Sequence, residues 1–298
     1  MNKFLERLGA GEILVSDGAT GSNLQKMGLK AGQAPEDLII DHPKILLELT
    51  RRFAQAGSDI ILTCTFGGTR MKLKHSKYQD RAPELNIRAV ELVRQAAASA
   101  GRSDVLVAGS MGPVGDLLDP YGPLEAEDVK ATFAEQAKAL ADGGVDLLVI
   151  ETMFALEEAT AAFEGARSVT DLPIVVSFSY DRGTRSMMGV KPEDVMQLYA
   201  EMGANVVGAN CGTTLENMEA IVTDYARSAP NFPLWAKPNA GIPHMDMQSG
   251  EGVYDMTPED MANFARKYVA LGARIVGGCC GSTPEHVAAI AKAVKGAA

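Results

Sequence analysis

Cysteine is scarce in this 298-residue chain: there are four, too few for a disulfide framework in a protein of this size. In a reducing compartment such cysteines bind metal or react, so they are the first residues to explain. Long hydrophobic runs are missing as well. No stretch approaches the roughly 18 apolar residues of a membrane helix, and the opening Met-Asn-Lys-Phe-Leu-Glu-Arg lacks a signal-peptide core, so the expectation is a cytoplasmic protein with no membrane partner. Basic residues are outnumbered 28 to 38, for a formal net charge of −10, which argues against a phosphate-tracking surface and so against nucleic acid. No Pro/Gly/Ser-rich linker divides the chain, and residues 1–298 read as a single domain. The remaining composition, 46% hydrophobic and 22% charged, is that of a folded globular protein.

Short apolar runs rich in β-branched residues alternate with longer amphipathic stretches about eight times. The spacing predicts strands at 13–17, 59–66, 105–110, 146–153, 173–180, 205–212, 233–239 and 274–280, each apolar nearly throughout, as strands buried on both faces should be. Helices are expected at 43–56, 83–100, 125–142, 156–169, 192–202, 215–226, 258–271 and 284–294, several opening with Pro in the first turn, with Thr257 and Thr283 as N-caps. Gly57, Gly144, Gly203 and Gly272 each stand just before a strand, where a left-handed residue ends a helix. Eight such units fit an α/β fold of the (β/α)8 TIM-barrel type better than a doubly wound sheet.

In that barrel the chemistry gathers at the C-terminal strand ends, which here are polar: Asp17, Thr63 and Thr65, Ser110, Glu151 and Thr152, Ser177 and Ser179, Asn210 and Cys211, Asn239, and Cys279 with Cys280. Three of the four cysteines therefore share one rim. Zinc takes three protein ligands and keeps one open position in catalytic sites, whereas structural sites close with four, so a count of three favours catalysis. A single buried cysteine such as Cys211 is ordinarily packing. Two adjacent thiols inside Gly277-Gly278-Cys279-Cys280-Gly281 have little packing rationale, and a redox dithiol is usually spaced C-x-x-C. Cys64, expected in mid-strand between Thr63 and Thr65, is taken as a core residue or one just behind the site, and His244 as a loop residue rather than a ligand.

The segments Asp17-Gly18-Ala19-Thr20-Gly21, Thr65-Phe66-Gly67, Gly109-Ser110-Met111-Gly112-Pro113, Glu151-Thr152, Gly208-Ala209-Asn210-Cys211 and Gly277-Gly278-Cys279-Cys280-Gly281 strongly resemble the zinc-dependent homocysteine S-methyltransferase family, nearest to the homocysteine module of cobalamin-dependent methionine synthases. The resemblance runs end to end. It implies Cys211, Cys279 and Cys280 as zinc ligands and homocysteine sulfur as the fourth, with Asp17 and Glu151 at the amino-acid end. Physical reasoning agrees: a thiol is mostly protonated at neutral pH, and metal coordination drives the proton off while three thiolates keep the bound sulfur electron-rich. Asp17 and Glu151 would accept from the substrate ammonium, Gly18 and Ala19 would offer N–H groups to its carboxylate, and Ser177, Asn210 and Asn239 would line the substrate or the metal.

The donor is the open point. A quaternary ammonium donor such as betaine calls for an aromatic cage, but the positions where betaine enzymes place aromatics hold Ala34 and Thr152, leaving Tyr78 as a remnant. The expected donors are therefore a small sulfonium or methylcobalamin, or another corrinoid, on a separate corrinoid protein, with a monomer or weak dimer as the assembly. Two alternatives stay open: a non-catalytic zinc barrel that binds or senses small thiols, and a methyltransferase for a different thiol.

Overall fold

A computed structural model describes residues 2–30, 32–245 and 252–296. Eight parallel strands form the central sheet: β1 (Leu14–Val15), β2 (Ile60–Leu62), β3 (Leu106–Met111), β4 (Leu147–Met153), β5 (Ile174–Phe178), β6 (Val206–Cys211), β7 (Leu234–Pro238) and, after a small ribbon of β8 (His244–Met245) and β9 (Gly252–Val253), β10 (Ala273–Val276). The order β1-β10-β7-β6-β5-β4-β3-β2 leaves β1 and β2 as the two ends, and these are joined by the Ser16–Ile60 bridge, with Asp59 N donating to Val15 O at 2.7 Å. The expected (β/α)8 barrel is what forms.

Three short helices, α1 (Lys3–Gly9), α2 (Gly21–Lys26) and α3 (Leu38–Asp41), precede the outer ring of α4 (Pro43–Gln55), α5 (Ala82–Ser99), α6 (Ala126–Asp142), α7 (Leu156–Arg167), α8 (Pro192–Glu201), α9 (Leu215–Ser228), α10 (Pro258–Ala270) and α11 (Pro284–Lys295). These eight match the expected helices to within about two residues at each end. Gly57, Gly144, Gly203 and Gly272 all take positive φ, 86° to 114°, as the helix-exit reading requires. Thr257 caps α10 through a reciprocal pair with Asp260. Among the described residues no helix is long and apolar enough to cross a membrane.

The interior follows from strand parity. Residues two apart along a strand share a face, and the inward set begins apolar: Leu14, Ile60, Leu106, Leu147, Val175, Val206, Trp235 and Ile275 fill the barrel, with Phe4 of α1 packed into the same cluster. Continuing the same parity upward gives Ser110 on β3, Glu151 on β4, Ser177 on β5, Asn210 on β6 and Lys237 on β7. All five are buried, so the top layer of the barrel is a polar floor laid on an apolar plug.

Most strands are trimmed by a residue or two at their ends, and two, β2 and β10, stop four residues short of their expected C-terminal ends, for one reason. β2 stops at Leu62, because hydroxyls replace the ladder beyond it: Thr63 Oγ1 accepts from Ser110 N at 3.1 Å, and Thr65 Oγ1 donates to Ser110 O at 2.8 Å. Cys64 therefore lies in a loop and not in mid-strand. β10 stops at Val276, and the Cys pair follows on irregular backbone strapped between its neighbours, with Gly278 N donating to Asp17 O at 3.1 Å and Cys279 N to Pro238 O at 2.7 Å.

Candidate active site

The three rim cysteines converge: the sulfurs of Cys211, Cys279 and Cys280 all lie within 4.8 Å of one another. Each is delivered by unusual backbone. Cys211 ends β6 at φ 61°, a left-handed conformation costly for a non-glycine residue, and its sulfur lies within 4.8 Å of the other two. Cys279 and Cys280 are held by a turn in which Ser282 Oγ donates to Cys279 O at 2.6 Å, closed by Gly281 at φ 82° under the ring of Tyr254. The thiols share hydrogen bonds, so that Cys211 is pulled toward thiolate chiefly by Cys279, while Cys279 and Cys280 are held protonated. Three soft donors about 2.3 Å from a common tetrahedral centre would stand about 3.8 Å apart, so the donor set fits a zinc ion. Among the described residues the cluster has three ligating side chains.

Asn210 braces this cluster. Its Nδ2 donates to Thr152 Oγ1 at 2.7 Å and reaches Cys279 Sγ at 3.8 Å, and its Oδ1 accepts from Ser177 Oγ at 2.6 Å and from Thr152 N at 2.9 Å. Ser177 and Asn210 thus act on each other and on Thr152, itself left-handed at φ 62°, and neither lines the cavity above. Asn239 Nδ2 donates to Gly212 O at 3.0 Å, and its buried Oδ1 has no partner among the described residues.

The cysteines open on a cavity of about 810 Å³ that also meets Gly18, Ala19, Glu151 and Lys237. Glu151 accepts from Ser110 Oγ at 2.5 Å, and burial pushes its carboxyl up to about 7, against the pull of the Lys237 ammonium. Asp17, expected to face a substrate ammonium, has protein partners on both oxygens: Oδ1 accepts from Lys237 Nζ at 2.7 Å and Oδ2 from Leu62 N at 2.9 Å. Ala19 N likewise donates to Ser282. Gly18 lines the cavity where a Cβ would come within 2.8 Å of Phe53.

Lys237 is the residue that the sequence reading missed. Burial would lower its pKa, but Asp17 and Glu151 together hold it above the ordinary value. The signal was its parity with Trp235, two positions earlier, which puts it inside. Phe66 was missed as well: it is 40% exposed and lines the cavity together with Glu36, Lys72 and His75, whereas Tyr78 is tied to Asp41 by a 2.6 Å hydrogen bond. Cys64 lines the same cavity.

A profile described as homocysteine S-methyltransferase matches residues 14–294. The chain belongs to the homocysteine S-methyltransferase family. Within it, the chain is 30% identical over 305 residues to a methionine synthase of Mycobacterium leprae (strain TN), an alignment covering 98% of this chain and 25% of that protein. It thus spans about a quarter of the length of that relative. Among solved structures, the metallated form of the homocysteine methyltransferase MmuM from Escherichia coli is similar with a TM-score of 0.81 at 25% identity, covering 96% of this chain and 98% of that one. The oxidized form gives 0.80 at 26% identity, over 97% and 99%.

Proposed function

We propose that residues 1–298 work as one domain that moves a methyl group from an activated donor to the sulfur of homocysteine, giving methionine, with zinc held by Cys211, Cys279 and Cys280. The observation that carries this reading is the convergence of three cysteine sulfurs at the floor of a cavity that also holds buried carboxylates. The metallated form of the similar MmuM structure and the methionine synthase relative support it. Zinc, when bound, would keep a substrate thiol deprotonated at neutral pH and leave its sulfur nucleophilic.

The chain's own residues supply the rest. Glu151 has one oxygen taken by Ser110, and the other, which has no hydrogen-bond partner among the described residues, would accept from the substrate ammonium. Asn210 fixes Cys279 and Thr152, so the sulfur and the carboxylate keep one spacing. The buried floor excludes water beneath the reacting sulfur. The donor would meet the part of the cavity wall that holds Phe66, Glu36, Lys72 and His75, where Phe66 is the one aromatic ring of Phe, Tyr or Trp among the described lining residues and falls short of a cage for a quaternary ammonium. This favours a small sulfonium or a methylated corrinoid carried by a separate protein over betaine.

The test is methionine formation by the zinc-loaded protein from homocysteine with S-methylmethionine, with a methylated corrinoid and with betaine. Turnover with the first or second and none with betaine is expected. Tight homocysteine binding with no methionine from any donor would make the chain a thiol-binding barrel and not a transferase.

A further inference from the structure

Behind the cavity, two buried amides on neighbouring helices are aimed at one loop. Asn86 of α5 is fully buried and Gln136 of α6 is 2% exposed. Gln136 Nε2 donates to Thr65 O at 2.8 Å and lies 3.3 Å from Asn86 Oδ1 and 3.4 Å from Ser110 O. Asn86 Nδ2 donates to Gly68 O and to Ala82 O, both at 2.8 Å. The loop is pressed so closely on these groups that a Cβ at Gly68 would come within 2.8 Å of Asn86 Oδ1 and 3.0 Å of Gln136 Nε2. Its other side is tied as well. Gly112 N donates to Phe66 O at 2.9 Å, Gly67 N donates to Glu36 Oε1 at 2.6 Å, and the Phe66 ring lies where a Cβ at Gly112 would stand 2.4 Å away.

Gln136 Oε1 is buried with no partner among the described residues, and turning the amide over would set that oxygen against three acceptors. An orphaned acceptor disfavours folding, whereas methionine would fill the same space with no polar atom to satisfy. Without Gln136, Thr65 O would keep its bond from Gly68 N, and Ser110 O its bond from Thr65 Oγ1. Asn86 Oδ1 would be orphaned in place of Gln136 Oε1, one acceptor for one. Stability therefore gives little reason for an amide here. Its distinct effect is to fix the place of the Thr65–Gly68 loop, and that loop carries Phe66, which lines the cavity into which the three cysteines open. Methyl transfer needs the donor carbon in line with the attacking sulfur, a geometry that a loose wall loses. We propose that Gln136 is a positioning residue for methyl transfer: it touches no substrate, and through the carbonyls of Thr65 and Ser110 it sets Phe66 as the wall against which the methyl donor is held. This rests on the reading of the barrel as a methyltransferase; it adds a residue behind the wall that governs the donor's approach.

The test replaces Gln136 with methionine, which keeps the length of the side chain and removes its donors. In Gln136→Met, zinc content, the urea midpoint of unfolding and homocysteine affinity by calorimetry should stay at wild-type values. Amide hydrogen exchange, read by mass spectrometry, should quicken in peptides covering 65–68 and 110–114 and not across the strands. With S-methylmethionine or a methylated corrinoid, whichever donor the protein uses, kcat/KM for the donor should fall about ten- to a hundredfold while KM for homocysteine is unchanged. Phe66→Ala should lower the same constant, and adding Gln136→Met to it should cost little more, because a residue that acts through Phe66 has nothing left to position. Additive losses in the double variant, loop exchange that does not change, exchange that quickens throughout the barrel, or an unaltered kcat/KM for the donor overturns the assignment of Gln136 and leaves methyl transfer standing. Wild-type protein that makes no methionine from any donor overturns the methyltransferase reading and this inference with it.

Discussion

Glu151 does its proposed work only when ionised, and burial places that change inside the working range, at about 7. A raised carboxyl pKa means the neutral form predominates below it, so the charge facing a ligand ammonium is present above pH 7 and lost as pH falls through it. Methionine binding, which involves no thiol proton, should therefore weaken about tenfold between pH 8 and pH 6, and Glu151→Gln should be weak and flat across that range; a flat wild-type profile would remove Glu151 from the ammonium role. The cysteines make a second prediction at this scale. Serine at 211, 279 or 280 should cost the protein its zinc, whereas Cys64→Ser should keep it, as metal analysis of purified protein would show. The cysteine cluster was legible because two adjacent thiols among glycines have no packing use. Lys237 was not, because lysine at a strand end reads as a solvated residue, and only its parity with Trp235 reveals that it points inward.

The helices were legible in the sequence nearly to the residue because their ends carry their own chemistry: Pro in the first turn, Thr at the cap, Gly at the exit. α10 shows all three. Thr257 and Asp260 exchange hydrogen bonds of 2.9 and 3.2 Å, Pro258 opens the helix, and Gly272 beyond it sits at φ 114°. Thr257→Ala should lower the unfolding free energy by about 1 kcal/mol, and Gly272→Ala should destabilise through its positive φ, both measured by urea denaturation. Neither should change zinc content, because both lie away from the cysteine cluster; metal loss in Thr257→Ala would mean that α10 positions the site directly. The strands were less legible. The runs at 59–66 and 274–280 stay apolar or β-branched past the points where β2 and β10 stop, because the residues that leave the ladder, Thr63, Thr65, Cys279 and Cys280, look like strand formers. What ends each strand is a set of cross-bonds to Ser110, Pro238 and Asp17 that exists only once the barrel has closed.

At the scale of the whole molecule, the barrel and the metal cluster are separable. The apolar plug from Leu14 to Ile275 and the buried layer between strands and helices lie beneath the rim, and all three cysteines come at or after the ends of their strands. Stability that depends on a ligand binding only the native state is lost as that ligand is withdrawn, by an amount set by its affinity and concentration. Chelation should therefore lower the thermal midpoint while leaving far-UV circular dichroism and cooperative unfolding intact. The same step should divide the two ends of the ligand. Homocysteine, whose sulfur needs the metal, should lose most of its affinity in the stripped protein, whereas methionine, whose ammonium is read by Glu151 on β4 and not by the metal, should bind within a few-fold of its original strength. Unfolding on chelation would make the three-cysteine cluster a structural staple, and equal loss of homocysteine and methionine would mean that the cysteine loops, not the barrel floor, set the geometry of the amino-acid end.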